Sequence, residues 1–318
     1  MKNPLITLVL GLSLSTGALA QVSFSFDYST ATNFMANSTA RDSVTLSAGI
    51  VSGYFTNYTA TITIKVTDLN DSGSNTLASA SSNFSESSSA GIGNRGIVGT
   101  KILGGSDVNG STADGSMNVN FGIDWNFDDD IASDKYDFKS TLIHKLFLAI
   151  GFGSTITRAG QDPFGTAVDT ENGRWAPFDE FVADSSGALI DGNYAMDGTA
   201  WAAASVGGNG SSGLFFNGAH AKAANGNSDV HLYSPGTWSE GSFLHHLDDD
   251  FFTSDNLLIE AATGEGAGAR SLSAIEVGII KDIGFTDINA SSVPEPSSWA
   301  LILGMIGLGS AVNRRQRR

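Results

Sequence analysis

The segment that most limits the fold covers residues 140–154, S-T-L-I-H-K-L-F-L-A-I-G-F-G-S. It is the longest mostly apolar stretch between the two ends of the chain. Leu142, Ile143, Leu146, Phe147, Ala149 and Ile150 recur at helical spacing, and Gly151 supplies a stop. The spacing predicts a buried helix around which the rest must fold. Its interior holds one imidazole and one ammonium, His144 and Lys145, and Lys135 and Asp137 give it a charged approach.

Both ends read as export signals. Residues 1–20 have the form of a secretory signal: Lys2, an apolar run over 5–14, then Ala18-Leu19-Ala20 as the cleavage site. The mature chain is expected to start at Gln21. At the other end, Pro294, Glu295 and Pro296 precede an apolar segment over 299–312 and then Arg314, Arg315, Arg317 and Arg318. This order resembles the PEP-CTERM sorting tail of Gram-negative bacteria. The resemblance implies an exosortase-type membrane enzyme as partner and a transient stay in the inner membrane. It implies delivery to the cell surface or the exopolysaccharide matrix. The apolar segment is short for a transmembrane helix but spans with snorkelling flanks, and the arginines hold its end cytoplasmic.

Charge narrows the partners. Of 17 Lys+Arg, five lie in the two end segments, against one of 33 Asp+Glu, so residues 21–290 carry a net charge near −20. Such acidity argues against nucleic acid and anionic membrane surfaces as partners. There is no cysteine, so no disulfide forms and any transition-metal site has to use His, Asp or Glu.

Along the chain, residues 21–26 alternate like a first strand, and 27–40 are mildly helical. T-A-T-I-T-I-K-V over 59–66 alternates strictly, and M-N-V-N-F-G-I over 117–123 does so again, predicting two half-buried strands. Residues 68–79 outline a calcium loop but end in Ser79 where a bidentate Glu belongs, so they read as a polar turn. The Ser-rich 77–99 reads as a long surface excursion, and the acidic run Asp128, Asp129, Asp130 as a solvated loop. Residues 153–241 are Gly-, Ala- and Asn-rich and read as irregular, with short helices such as 219–224. Residues 272–283 return to helical spacing through Ile275, Ile279 and Ile283, with Glu276 and Asp282 as polar-face groups.

The central helix resembles the H-E-x-x-H-x-x-G helix of zinc peptidases, with His144 at the first ligand and Gly151 at the glycine. Three later landmarks follow in the order of leishmanolysin-like metzincins. His245-His246 stand at the Ser-His of the third ligand, and Leu257-Leu258 at the Leu-Met turn. S-L-S-A-I-E-V-G-I-I-K-D-I-G-F, residues 271–285, stands at the closing helix. The resemblance implies an α+β, zincin-like fold over 21–290: a twisted mixed sheet with backing helices over about 21–153, and an irregular lower half over about 154–290. It implies zinc-dependent peptide hydrolysis, and the sequence departs from it where the chemistry is done. Lys145 occupies the general-base position and Leu148 the second-ligand position. His144 and His246 remain as a vestigial pair, with His245 as a possible substitute ligand. Lys145 is then expected to replace the metal as the cation of the site, paired with Asp248, Asp249 or Asp250.

The sequence therefore predicts a non-catalytic binding or structural module on an exported protein, with no cofactor expected. The alternative is a zinc metalloendopeptidase with an atypical ligand set. No nucleophile elbow, phosphate loop or dinucleotide fingerprint stands in a suitable setting.

Overall fold

The computed structural model describes residues 21–85, 89–205, 213–253 and 257–290. Its main sheet has the order β1-β2-β5-β3, with β1 (Val22–Asp27), β2 (Ala60–Leu69), β5 (Gly115–Asn120) and β3 (Ala78–Ser82). The first three are parallel, and β3 runs antiparallel to β5 at the edge. Alternation in β2 sends Ile62, Ile64 and Val66 into the core and leaves Thr61 and Lys65 exposed. Register places Met117 beside Val66 and Ala80, so the strands share one apolar face. Segment 77–99 is therefore not a plain surface excursion. It carries the edge strand β3, and its end opens helix α3 (Gly96–Gly104).

That apolar face is covered by helices. After the short α1 (Thr32–Ala36), α2 (Ser38–Tyr54) packs on β1 and on the central helix α4 (Phe138–Ile150), which also lies against β3. Leu142, Leu146, Phe147 and Ile150 of α4 are fully buried among Val51, Tyr54 and Phe55 from α2 and its end, with Ile62 and Val98 in the same core. Each such side chain contributes about 1.5–3 kcal/mol by leaving water. A helix apolar on nearly all sides has to be enclosed, and α4 is.

Two short pairings tie loops down: β4 (Gly91–Ile92) with β8 (Arg174–Trp175), and β6 (Trp125–Asn126) with β7 (Tyr136–Asp137). The second half is more regular than its composition predicts. Strands β9 (Val182–Asp184), β10 (Gly187–Ala188), β11 (Leu214–Phe216) and β12 (Val230–Leu232) form an antiparallel sheet of order β10-β9-β11-β12. Strands of two or three residues leave no periodic signal, so the sheet is invisible in sequence. Helices α5 (Gly198–Ala204) and α6 (Ala219–Ala224) follow their neighbouring strands, and α7 (Ala274–Asp282) closes the described chain. The architecture is α+β, as the sequence predicts.

Two carboxylates of α7 are more than polar-face groups. Glu276 is fully buried and completes a capping box with Ser273, while it also accepts from the Ile259 backbone N–H at 2.6 Å. Asp282 accepts from the N–H groups of His220 and Ala221 and so caps α6. The acidic run is likewise engaged, since Asp129 pairs with both Lys139 and Arg270. Among the described residues, no helix is long and apolar enough to cross a membrane.

Candidate functional site

The site begins with how α4 is anchored. Asp137 caps it by accepting from the Ser140 N–H at 3.1 Å. The same carboxylate, fully buried, takes a bidentate grip from Arg270, at 2.9 Å from Nε and 3.0 Å from Nη2. Ser140 Oγ donates to the Ala269 carbonyl at 2.6 Å. Residues before and after the helix are thus clamped, and Gly151, with φ +121°, ends it. This fixes the rotation that turns His144 and Lys145 toward an open cleft.

The opposite wall is the turn over 239–248. Its backbone is pinned to an extension of β12: Leu244 N–H donates to Tyr233 O, Tyr233 N–H to His246 O, and Asp248 N–H to His231 O. Ser154, just beyond α4, donates its N–H to Leu244 O and joins the two walls. Leu244 has φ +58°, a left-handed conformation that is uncommon for a leucine. The buried Leu244 side chain and these bonds hold it there. Gly153 is required for close approach: a Cβ at that position would lie 3.2 Å from the His245 Cα and ring, on a backbone with φ +123°.

These walls bring His144 and His246 together across about 100 residues of chain. Their ring centroids are 4.9 Å apart, edge to face. Both rings are buried. Burial, together with the neighbouring Lys145 charge, holds both pKa values well below the usual histidine range, so both are neutral. His246 Nδ1 lies 2.9 Å from the Ser242 carbonyl, which can only accept, so that nitrogen carries the proton. Its Nε2 is left with a bare lone pair, buried and without a hydrogen-bond partner among the described residues. Lys145 Nζ lies 3.5 Å from His144 Nε2. Burial pulls the Lys145 ammonium down to a pKa of about 8.

Lys145 forms no ion pair among the described residues, with Asp248, Asp249 and Asp250 or with any other carboxylate. The pairing expected from sequence is therefore replaced by a lone ammonium against an imidazole. Asp248 is spent locally, accepting from the Asp250 N–H. His245 also departs from the expectation that it substitutes as a ligand. Its Nδ1 bonds the Phe243 carbonyl at 2.8 Å, and its ring lines a separate apolar pocket of about 100 Å³ together with Leu148, Phe152 and Phe285. Leu258, at the position of the Leu-Met turn, is buried, and the Ile259 N–H beside it bonds Glu276.

His144, Lys145 and His246 line a cleft of about 580 Å³. Edge strand β3 and the loop before it form one wall, through Asn75, Thr76 and Ser79. Ser239, Glu240 and Ser242 form the other. The sequence reading missed these walls, since β3 is hidden in a Ser-rich stretch. It also missed Ser242, which acts through its backbone carbonyl and leaves no side-chain signature.

A catalytic zinc site makes a definite demand on these residues. Such a site needs three protein ligands and an open position. Among the described residues no three His, Asp or Glu side chains gather at one point. The ammonium also stands beside the imidazole lone pair that a metal would need.

Comparison with known families identifies the PEP-CTERM protein-sorting motif over residues 292–318. The match contains Pro294, Glu295 and Pro296, which, like the signal segment 1–20, lie outside the described residues. It indicates an exported protein recognised by an exosortase. No curated protein and no solved structure matches the chain significantly.

Proposed function

We propose that this exported protein presents, at the cell surface or in the exopolysaccharide matrix, a metzincin-like domain that binds in its cleft without cleaving. The observation that carries the reading is the meeting of His144 and His246 with an ammonium 3.5 Å from the first imidazole. Two landmarks chosen for their likeness to zinc ligands converge from distant parts of the chain. The position that would activate a water holds a cation, which cannot act as a carboxylate base. The position of the helical chelate partner holds Leu148, which cannot coordinate.

Zinc-dependent amide hydrolysis needs a metal-bound water and a carboxylate base, and Lys145 and Leu148 stand at the positions that would supply the base and the second ligand. What remains is a shaped polar groove with two neutral imidazoles and one donor-only ammonium. Such a groove suits recognition.

Metal content and proteolysis test the reading together. The purified native protein is expected to retain no stoichiometric zinc and to leave casein intact. The double variant Lys145→Glu, Leu148→His restores an i, i+4 chelate and a base, and is expected to take up one zinc per chain. Chelator-sensitive casein cleavage by the native protein would instead establish the zinc metalloendopeptidase with an atypical ligand set. Failure of the double variant to bind zinc would break the assigned register.

A further inference from the structure

The apolar pocket at the C-terminal end of α4 shares no lining residue with the cleft. Phe84, Leu148, Phe152 and Phe285 stand in its walls, and its volume is about 100 Å³. An apolar cavity of roughly 150 Å³ takes up a benzene, so the pocket suits a body of that order. Among the described residues that line it, Arg95 is the only Lys, Arg, Asp or Glu. The surrounding domain is strongly acidic, yet no carboxylate pairs with Arg95 among the described residues. One of its nitrogens is engaged: Nη1 donates to the Ile283 carbonyl at 2.7 Å, at the end of α7. Gly284, with φ +109°, permits that approach, since a Cβ there would lie 3.1 Å from Nη1. Nε and Nη2 have no partner among the described residues, and they are not sealed from solvent. Burial alone pulls the Arg95 pKa below its usual range, as for a cation with no anion beside it. Arg95 is also the N-cap of α3, so the positive end of that helix falls at the same rim.

We propose that this pocket binds a small monocarboxylate with an apolar body of about six carbons. Arg95 Nε and Nη2 hold the two oxygens, and the apolar walls take the body. The same two nitrogens of Arg270 grip Asp137 elsewhere in this molecule, at 2.9 and 3.0 Å. That fork matches a carboxylate in shape as well as charge. A half-buried cation without a counter-charge is costly, so a ligand that brings one gains selectively. A neutral apolar molecule would leave the guanidinium unpaired. Phosphate and sulfate would press polar oxygens against apolar walls, and the acidity of the domain opposes a second negative charge. The inference goes beyond the cleft reading and does not rest on it.

The test titrates the full-length protein with hexanoate, with its neutral analogue hexanamide, and with acetate, in about 0.15 M salt. Side-chain nitrogen NMR follows Arg95 Nε, assigned by its loss in Arg95→Lys. The expected result is a saturable Nε shift with hexanoate, which binds about tenfold tighter than hexanamide. Shortening the acid toward acetate should weaken binding about fourfold for each methylene removed. Arg95→Met should erase the preference for acid over amide. Arg95→Lys, which keeps the charge but not the fork, should keep part of it. Leu148→Trp, which fills the pocket and leaves the guanidinium in place, should abolish binding. Arg95 also helps to close α7, so should Arg95→Met not fold, the Nε shift and Leu148→Trp decide. Hexanoate that binds no tighter than hexanamide, or that leaves Nε unmoved, overturns the proposal. So does binding that survives Leu148→Trp, or an acid preference that survives Arg95→Met. Acetate that binds as tightly as hexanoate overturns it as well, because the walls would then contribute nothing.

Discussion

At the scale of single residues, Lys145 is a cation held at a cost. Its pKa falls from the ordinary 10.5 to about 8, and burial alone is the cause, with no carboxylate to oppose it. Below pH 8 the ammonium is charged in the folded and the unfolded chain, and the full cost of burying it is present. Between about 8 and 10.5 the folded chain sheds this proton first, so the unfolded state binds more protons and stability rises with pH. Above 10.5 the cost is gone. Lys145→Met is therefore expected to stabilise the protein at pH 7 by about 2 kcal/mol, a figure reduced for the side chain's partial exposure. The gain should fade as the pH approaches 10.5. Urea unfolding of both proteins at pH 7, 9 and 10.5 checks this. A destabilised variant at pH 7 would mean that the ammonium has a partner. That a sequence would keep a destabilising cation at a cleft floor is itself an argument for a role in binding.

At the scale of elements, the apolar face of α4 buries it and the bonds at its ends fix its position. Asp137 caps the helix and neutralises the guanidinium of Arg270, which is almost entirely buried beside it. Asp137→Ala removes the cap and takes the buried carboxylate from Arg270, leaving the more exposed Asp129 and the Asp128 carbonyl among its partners. We expect a loss of about 3–5 kcal/mol, read as a shift in the urea midpoint at unchanged slope. A loss under 1 kcal/mol would show that the cap and the clamp are not what fixes the helix.

The same elements show what a sequence discloses. Helix α4 and helix α7 were legible because a run of Leu, Ile and Phe at helical spacing has one reading. Strand β2 was legible because Ile62, Ile64 and Val66 alternate with polar groups. Strand β3, A-S-A-S-S, was not, since alanine and serine are poor strand formers. Its conformation comes from pairing with β5, a contact nearly 40 residues away in sequence. The site divides in the same way. His144 and His246 were found through landmarks, but the orientation of His246 depends on a backbone carbonyl. The direction of His245 depends on the left-handed Leu244 and on the space left by Gly153. Backbone geometry of that kind carries no residue code beyond the glycine.

At the scale of the whole molecule, the chain's response to acid follows from two opposing terms. His144 and His246 are buried and His245 is half-buried, and burial lowers each pKa below the usual 6.5. Their neutral forms are therefore favoured by folding. The stability this represents is complete above pH 6.5. It is lost as the pH falls below that, because the unfolded chain takes up protons that the folded chain refuses. Each proton contributes about 1.4 kcal/mol per pH unit, so the two fully buried histidines together approach a slope of about 3, to which His245 adds. Against this, an acidic protein relaxes its self-repulsion as carboxylates protonate. Buried Glu276 and Asp179, whose pKa values are raised by burial, also favour the folded state on acidification. Those terms oppose the histidines, whose own contribution changes most from about pH 6.5 to 5.5, where the unfolded imidazoles take up their protons. Denaturant unfolding over that interval should show falling stability with an uptake of two to three protons. His246→Gln should remove about one of them. A flat profile that His246→Gln leaves unchanged would mean that the imidazoles meet water in the folded protein.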